Sequence, residues 1–482
     1  MSEPNLTIYQ AREQLQQADQ SHVLHYWDDL SETQRQQLLG QIASVDWPEV
    51  TRLIESHVKS KPQWSLPENV EPAPWYPNDP GDELAEKYRD ARSLGETLIA
   101  GGKVAAFTVA GGQGTRLGFD GPKGAYPATP VRGLPLFGCF AEYLHNIHIR
   151  FGVQCPWYIM TSPINDAPTR AFFEQHQFFN LDPANVRFFP QAMMPAIDAE
   201  SGKVLLADKH SLALSPNGHG GSLKALHTSG AIEDMQNRGI EQISYIQVDN
   251  PIVRVIDPLF IGLHAMDDAQ MSSKMLPKRE PLEKLGNFCL VDGKVTVIEY
   301  SNLPDKLAHQ TTDAGELRFR AGSIAIHMIR VDFVESLNTQ EGGFSLPWNR
   351  ADKKVPYLDL ETGERVEPTE PNAVKLETFV FDALPQCEAS IVYETDRSDE
   401  FAPIKNADDP GCNDCPSSSK QIQSNRAARW LEAAGVEVPW RDGEPGEVDA
   451  LIDLPQVKAI YEDDVKHIET PHRIEPGTHV TI

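Results

Sequence analysis

A short apolar strand that runs straight into a glycine loop constrains this chain more than any other stretch: residues 104–118 read VAAFTVAGGQGTRLG, followed by Pro122 and Lys123. Glycine at 111, 112 and 114 permits positive φ and a close approach of backbone N–H groups to phosphate oxygens, because no Cβ intervenes. Arg116 and Lys123 add full positive charge beside those neutral donors. The combination predicts a site for a nucleoside triphosphate. A P-loop would need GxxxxGK with Ser or Thr after it, and a dinucleotide fingerprint would need GxGxxG. Gly112, Gly114 and Gly118 are spaced GxGxxxG instead, and the TRLG segment with Gly121 and Pro122 is a poor helix opening. A plain glycine turn is the alternative reading of the same residues.

The flanking pattern alternates. Leu136, Phe140, Leu144, Ile147 and Phe151 recur every three or four residues and predict a helix, and Trp157 to Met160 reads as a strand. Asp166 can cap a helix through Ala171, Phe172 and His176, and Asn185 to Phe189 is again strand-like. Leu223 to Met235, halted by Gly239, is helical, and Ile243 to Val248 follows as a strand. Such alternation implies an α/β fold with parallel strands and helices on both faces. Asp292-Gly293 between two apolar runs predicts a hairpin.

Three segments are expected. Residues 1–95 form a helical region, with a helix start at Ser31 to Gln34, and a linker carrying Pro67, Pro72, Pro74, Pro77 and Pro80. Residues 96–380 form the core, and residues 381–482 a smaller C-terminal domain in which Pro416 to Lys420 reads as a mobile loop. With 482 residues, burial is not limiting.

No apolar run approaches the roughly 18 residues that would span a bilayer, so no membrane association is expected and the cytoplasm is the expected compartment. A net charge of −27 argues against nucleic acid or an anionic membrane as partner, since both would be repelled. It does not exclude a small anion, because surface charge is screened beyond about 8 Å and a few local cations set the potential in a cleft. Six cysteines, at 139, 155, 289, 387, 412 and 415, fit a reducing compartment. Cys412 and Cys415 are the one close pair; with no second CxxC they read as two free thiols rather than half a zinc site.

In an open α/β sheet the useful residues follow the strands. Ala110, Gly111 and Gly112 follow the first, Gln191 another, and Asp249 with Asn250 a third. Asp249 suits a magnesium ion held against phosphate oxygens as well as it suits a helix cap. The turn at 215–222, SPNGHGGS, opens a helix and suits close contact with a flat or anionic ligand. His219 within it is either a donor to a ligand hydroxyl or an idle turn histidine. Lys375 and Lys405, by position alone, read as solvated surface.

Taken as an ordered series, these segments resemble the eukaryotic-type UDP-sugar pyrophosphorylases, most nearly those that act on N-acetylglucosamine. The resemblance runs from about Ser31 to Asp408 through AGGQGTRLG, Pro122-Lys123, WYIMTS at 157–162, FFPQAMMPA at 188–196, Val248 to Asn250, IEYS at 298–301, Lys375 and PIKNAD at 403–408. It implies a Rossmann-like nucleotidyltransferase core, a mixed and mostly parallel sheet flanked by helices. It also implies UTP and a hexose or N-acetylhexosamine 1-phosphate as substrates, with Mg2+ or Mn2+ as cofactor. Ala110, Gly111, Gly112, Gln191 and Gly218 would hold the uridine, and Arg116 and Lys123 the β- and γ-phosphates. Asp249 would bind the metal, Glu299 and Tyr300 the sugar, and Lys375 and Lys405 the phosphates common to substrate and product. Two positions depart from the N-acetylglucosamine pattern, His219 where that branch has Asn in GNGG and Ser323 where it has Asn in AGN. A UDP-glucose or UDP-galactose pyrophosphorylase, or a non-catalytic nucleotide-sugar sensor, are the alternatives, and the oligomeric state is not set by the sequence.

Overall fold

The computed structural model describes residues 6–62 and 64–482. The chain divides into two units, one of Met1–Ser65, Gln191–Leu223 and Leu346–Asp382, the other of Leu66–Pro190, Lys224–Ser345 and Ala383–Ile482.

The larger unit is built on a ten-stranded mixed sheet whose main path runs Val70–Pro72, Gly286–Val291, Ala321–Arg330, Gln242–Gln247, Val104–Val109, Trp157–Thr161, Val186–Pro190. The last four strands are parallel, with Gln242 opposite Val104, Ala106 opposite Trp157 and Trp157 opposite Val186. Ala321–Arg330 runs antiparallel to Gln242–Gln247. Every residue of Trp157–Thr161 is buried, as continuous apolar strands must be when both sheet faces are covered. The helix Leu136–Phe151 packs its expected stripe, Leu136, Phe140, Leu144 and Ile147, into the core beside Trp157 and Phe173. Asp292 and Gly293 both take positive φ, 48° and 79°, which is the two-residue turn the hairpin needs.

Several local expectations change. The run from Leu223 to Met235 is two helices, Gly221–Thr228 and Ala231–Asn237, parted where Gly230 turns left-handed at φ 76°. Asp166 begins its helix without capping it, because its carboxylate accepts from Thr161 Oγ1 at 2.6 Å and Arg170 Nε at 2.7 Å. The proline-rich stretch supplies the strand Val70–Pro72, paired with Gly286–Val291, and the expected core start near Glu96 falls inside the continuous helix Gly81–Ala100. Pro416 to Lys420 is no loop but the first turn of the helix Pro416–Ala433. Proline at the first position has its φ preset and lacks an N–H that would go unpaired anyway, and Ser418 Oγ accepts the Cys415 N–H at 3.0 Å. That helix packs Ala427, Trp430 and Leu431 against Ile452 of the parallel strand pair Ala450–Asp453 and Thr478–Thr481.

The smaller unit joins the helices Ile8–Gln17, Glu32–Ser44 and Trp47–Leu53 to the strands Ile197–Asp198, Ala373–Glu377 and Asn349–Lys353 through Leu38, Ile42, Leu53, Ile197, Val374 and Leu376. Ser31 caps its helix with the reciprocal Gln34 bond that its sequence predicts. Among the described residues no helix is long and apolar enough to cross a membrane.

Helices Gly81–Ala100 and Pro258–Met266 meet backbone to backbone at two glycines. A Cβ on Gly95 would lie 1.8 Å from the Pro258 carbonyl oxygen, and one on Gly262 would lie 1.6 Å from that of Ala91. Gly262→Ala must therefore push the helices apart, and we expect it to cost about 1–3 kcal/mol in chemical denaturation; an unchanged midpoint would show that the helices do not meet there.

Candidate active site

The four parallel strands present their carboxyl ends at one edge of the sheet, and the strand order reverses between Val104–Val109 and Gln242–Gln247. Ligands of open α/β sheets collect at such a switch point. The glycine loop leaves one of these two strands and Asp249-Asn250 leaves the other.

Buried Asn165 pins the loop, donating from Nδ2 to the Ala110 oxygen at 2.9 Å and to the Gly112 oxygen at 3.1 Å. The chain then folds back on itself, Lys123 N–H donating to Gly112 at 3.1 Å and Gly114 N–H to Gly121 at 2.9 Å. The expected positive φ at 111, 112 and 114 is not found; it occurs at Gly118, 67°, and Gly121, 150°. Space explains the glycines better than φ does. A Cβ on Gly114 would stand 2.7 Å from the Phe119 ring, while around Gly112 nothing lies within 4 Å, so its backbone faces open space. Arg116 projects from a single turn, Thr115–Leu117, exposed and without an ion pair among the described residues.

Lys123 is only 16% exposed, its Nζ 3.9 Å from Asp249 Oδ2. Burial lowers its pKa; Asp249 opposes that shift, and Lys405 and Arg116 reinforce it. Lys405 reaches the same edge because three hydrogen bonds bind its segment to the end of the Gln242–Gln247 strand. Ile404 N–H donates to the Asp249 oxygen at 2.8 Å, Ala402 N–H to Asn250 Oδ1 at 3.1 Å, and Asn250 Nδ2 to the Glu400 oxygen at 2.7 Å. Lys405 Nζ lies 5.3 Å over the Phe401 ring and 3.4 Å from Asp414 Oδ2. Arg116, Lys123, Asp249 and Lys405 are thus brought to one sheet edge. Among the described residues no three His, Cys, Asp or Glu side chains gather as a metal cage.

Glu299 and Ser323 meet around Gly286. Gly286 sits opposite Ser323 in the sheet, and a Cβ there would lie 3.4 Å from Glu299 Oε1 and 3.7 Å from Ser323 Cβ. Burial raises the Glu299 pKa above the ordinary carboxyl range. Tyr300, next in sequence, is 44% exposed.

Gln191, Gly218, His219 and Lys375 belong to the smaller unit. Gln191 is buried, and Lys375 alternates outward between buried Val374 and Leu376. The glycines of the 218–221 turn serve backbone packing rather than only ligand approach. Gly218 has φ 85°, and a Cβ on it would lie 2.3 Å from the Thr378 oxygen; Gly220 N–H donates to that oxygen at 2.8 Å. His219 stacks on Phe379 at 5.3 Å, meets Phe381 at 5.7 Å, and accepts the Val380 N–H at Nδ1. The parts played by Phe379, Phe381, Asn165 and the Asn250 side chain are not legible in the sequence because each acts through a partner distant along the chain.

A family model described as UTP–glucose-1-phosphate uridylyltransferase matches residues 59–428. The chain is 36% identical over 454 residues to the UDP-N-acetylhexosamine pyrophosphorylase-like protein 1 of Xenopus tropicalis, covering 90% of this chain and 86% of that one. It is 34% identical to the UDP-N-acetylglucosamine pyrophosphorylase of Saccharomyces cerevisiae, covering 90% and 93%. Its fold is similar to the crystal structure of the uridine diphosphate N-acetylglucosamine pyrophosphorylase of Trypanosoma brucei in complex with an inhibitor, with a TM-score of 0.79, 26% identity and coverage of 94% and 93%.

Burial pushes the His219 imidazole from its ordinary 6.5 down to about 4. As pH falls through 6.5 the unfolded chain takes up the proton first, so this residue withdraws stability between about pH 6.5 and 4. His219→Asn, which keeps an acceptor near Nδ1, should therefore lose less thermal stability from pH 7 to pH 5 than the parent; equal losses would contradict a neutral imidazole.

Proposed function

The chain belongs to the UTP–glucose-1-phosphate uridylyltransferase family and so is a UDP-sugar pyrophosphorylase, and we propose that its sugar substrate is N-acetylglucosamine 1-phosphate, giving UDP-N-acetylglucosamine and pyrophosphate. The observation that carries the reading is the gathering of Arg116, Lys123 and Lys405 with Asp249 at the switch point of the sheet.

The reaction joins anions. A sugar-phosphate oxygen attacks the α-phosphorus of UTP in line, and the bond to the β-phosphate breaks to release pyrophosphate. A phosphate monoester has its second pKa near about 6, so the nucleophile is already charged and needs no general base. The cost lies in bringing charges together, roughly 4 kcal/mol for each unit pair at about 4 Å and an effective dielectric of about 20. Three cations gathered at the sheet edge offset that cost. In this proposal Arg116 and Lys123 face the β- and γ-phosphates, and Lys405 faces the phosphate that remains in the product. The backbone of Ala110 to Gly112 borders the nucleotide. Glu299, Tyr300 and Ser323 meet the sugar, and the roles carried over for Gln191, Gly218, His219 and Lys375 belong to the same proposal.

A lone carboxylate fits a magnesium ion that arrives with the triphosphate and takes its other ligands from phosphate and water. Asp249 would hold it, and when bound it would supply further neutralisation of phosphate charge.

A second reading, glucose or galactose 1-phosphate as substrate, is favoured by His219 and Ser323, the two departures from the N-acetylglucosamine pattern. Loss of a partner for one buried polar group costs about 1–3 kcal/mol, enough to move preference tenfold.

Two measurements test these statements. Arg116→Ala and Lys123→Ala should each lower turnover by about a hundredfold or more, and near-normal rates in both variants would remove the cationic edge from the mechanism. Pyrophosphate release from UTP and magnesium with each of glucose, galactose and the two N-acetylhexosamine 1-phosphates should be fastest with N-acetylglucosamine 1-phosphate. A preference for glucose would replace the proposed substrate by the second reading, and silence throughout would point to a sensor.

A further inference from the structure

Cys412 and Cys415 have no part in the chemistry above, yet they bracket the residue that holds Lys405 in place. The Asp414 carbonyl accepts the Lys405 N–H at 2.6 Å and the Asn406 N–H at 3.1 Å, and the Asp414 carboxylate lies 3.4 Å from Lys405 Nζ. Asp414 itself takes φ 58°, the left-handed region that aspartate visits more readily than most residues with a Cβ.

The two thiols are already neighbours. The Cys415 thiol donates to the Cys412 carbonyl oxygen at 3.3 Å, and the Cys412 thiol donates to the carbonyl oxygen of Asn413, between them, at 3.1 Å. Cys415 is buried at the cap of the helix Pro416–Ala433, while Cys412 is partly exposed. The other four cysteines, 139, 155, 289 and 387, are all buried, and burial drives each of their thiols well above the usual range. Oxidation of the native protein is thereby directed to Cys412, with Cys415 in reach as the resolving thiol.

We propose that Cys412 and Cys415 are a redox modification site, closing reversibly to a disulfide that displaces Asp414 and with it Lys405, and so lowers uridylyl transfer; this rests on the role given to Lys405 above. The oxidant is a small-molecule disulfide. The Cys412 thiolate attacks one of its sulfurs, forming a mixed disulfide and releasing one small thiolate. The Cys415 thiolate then attacks the Cys412 sulfur and expels the second. Two protein thiols have given up two electrons and two protons, and one small disulfide has become two small thiols. Closing the bond across Asn413 and Asp414 constrains the backbone that carries the Asp414 carbonyl, and the two bonds it accepts from Lys405 and Asn406 cannot keep their geometry. Burial, with Cys415, Asp409 and Asp414 as negative neighbours, holds the Cys412 thiol above its ordinary range, so the exchange is slow at neutral pH and quickens as pH rises.

The full-length protein, equilibrated with oxidised glutathione at rising ratios to reduced glutathione, should yield a peptide bridging Cys412 and Cys415 by mass spectrometry. Its turnover should fall about tenfold, less than the full loss of one electrostatic stabiliser, and dithiothreitol should restore it. Cys415→Ser should form only the mixed disulfide at Cys412 and keep its rate, and Cys412→Ser should form no bridge and keep its rate. Absence of the bridged peptide, a bridged enzyme with unchanged turnover, or equal inhibition of the Cys415→Ser variant would each overturn the inference. If the reduced enzyme releases no pyrophosphate with any sugar phosphate, the functional reading itself fails and this inference with it, which separates that outcome from the other three.

Discussion

A fully buried lysine organises the edge on which the candidate chemistry depends. Lys274 has no exposed side-chain surface, and its Nζ is shared between Asp257 at 2.7 Å and both oxygens of Glu400 at 2.7 and 2.8 Å. A charge taken that far from water survives only if it is paired and fully hydrogen-bonded. Thr395 Oγ1 and the Arg254 N–H donate to Glu400 at 2.5 and 3.1 Å, completing its shell. Glu400 can therefore occupy few positions. Its carbonyl accepts from Asn250, and the chain leaving it makes the bonds of Ala402 and Ile404 that set Lys405 beside Asp249. A residue far from the reaction in sequence thus fixes the distance between two groups proposed to act in it.

The same edge reconciles a strongly acidic protein with polyanionic substrates. A charge of −27 spread over the surface is screened within about 8 Å, whereas Lys123, enclosed by protein, feels its neighbours through a lower dielectric. Burial chiefly depresses its pKa, and Lys405 and Arg116 add to that shift while Asp249 and Asp414 oppose it.

The sequence made legible what is local and periodic. The helix Leu136–Phe151, the strand Trp157–Thr161, the Asp292-Gly293 hairpin and the Ser31 cap each depend on residues within a few positions of one another. The strand-to-glycine junction could also be read, since it lies within a single stretch. Long-range partners could not. Asn165, which holds the glycine loop, and Asn250, which ties down the Lys405 segment, look like ordinary turn residues until their partners at 110, 112, 400 and 402 are in place. The glycines were assigned to the right loop for the wrong reason: Gly114 is required by the Phe119 ring and Gly218 by Thr378, contacts that no composition rule reveals. Pro416 to Lys420 misled because serine and proline favour loops and helix starts alike, and only the cap at Cys415 distinguishes them.

The tautomer of His219 says more about what this turn can offer than the size of the ring does. With the Val380 N–H donating to Nδ1, the neutral ring carries its proton on Nε2 and offers that edge as a donor alone. Asparagine, which stands at this position in the N-acetylglucosamine pattern, offers a donor and an acceptor from one amide. Any group meeting the imidazole edge must accept, as a hydroxyl or a carbonyl oxygen can and an amide N–H cannot. Stacking on Phe379 also fixes the plane of the ring, so the donor direction is set before a ligand arrives. The exchange of asparagine for histidine thus removes one kind of partner rather than merely filling space.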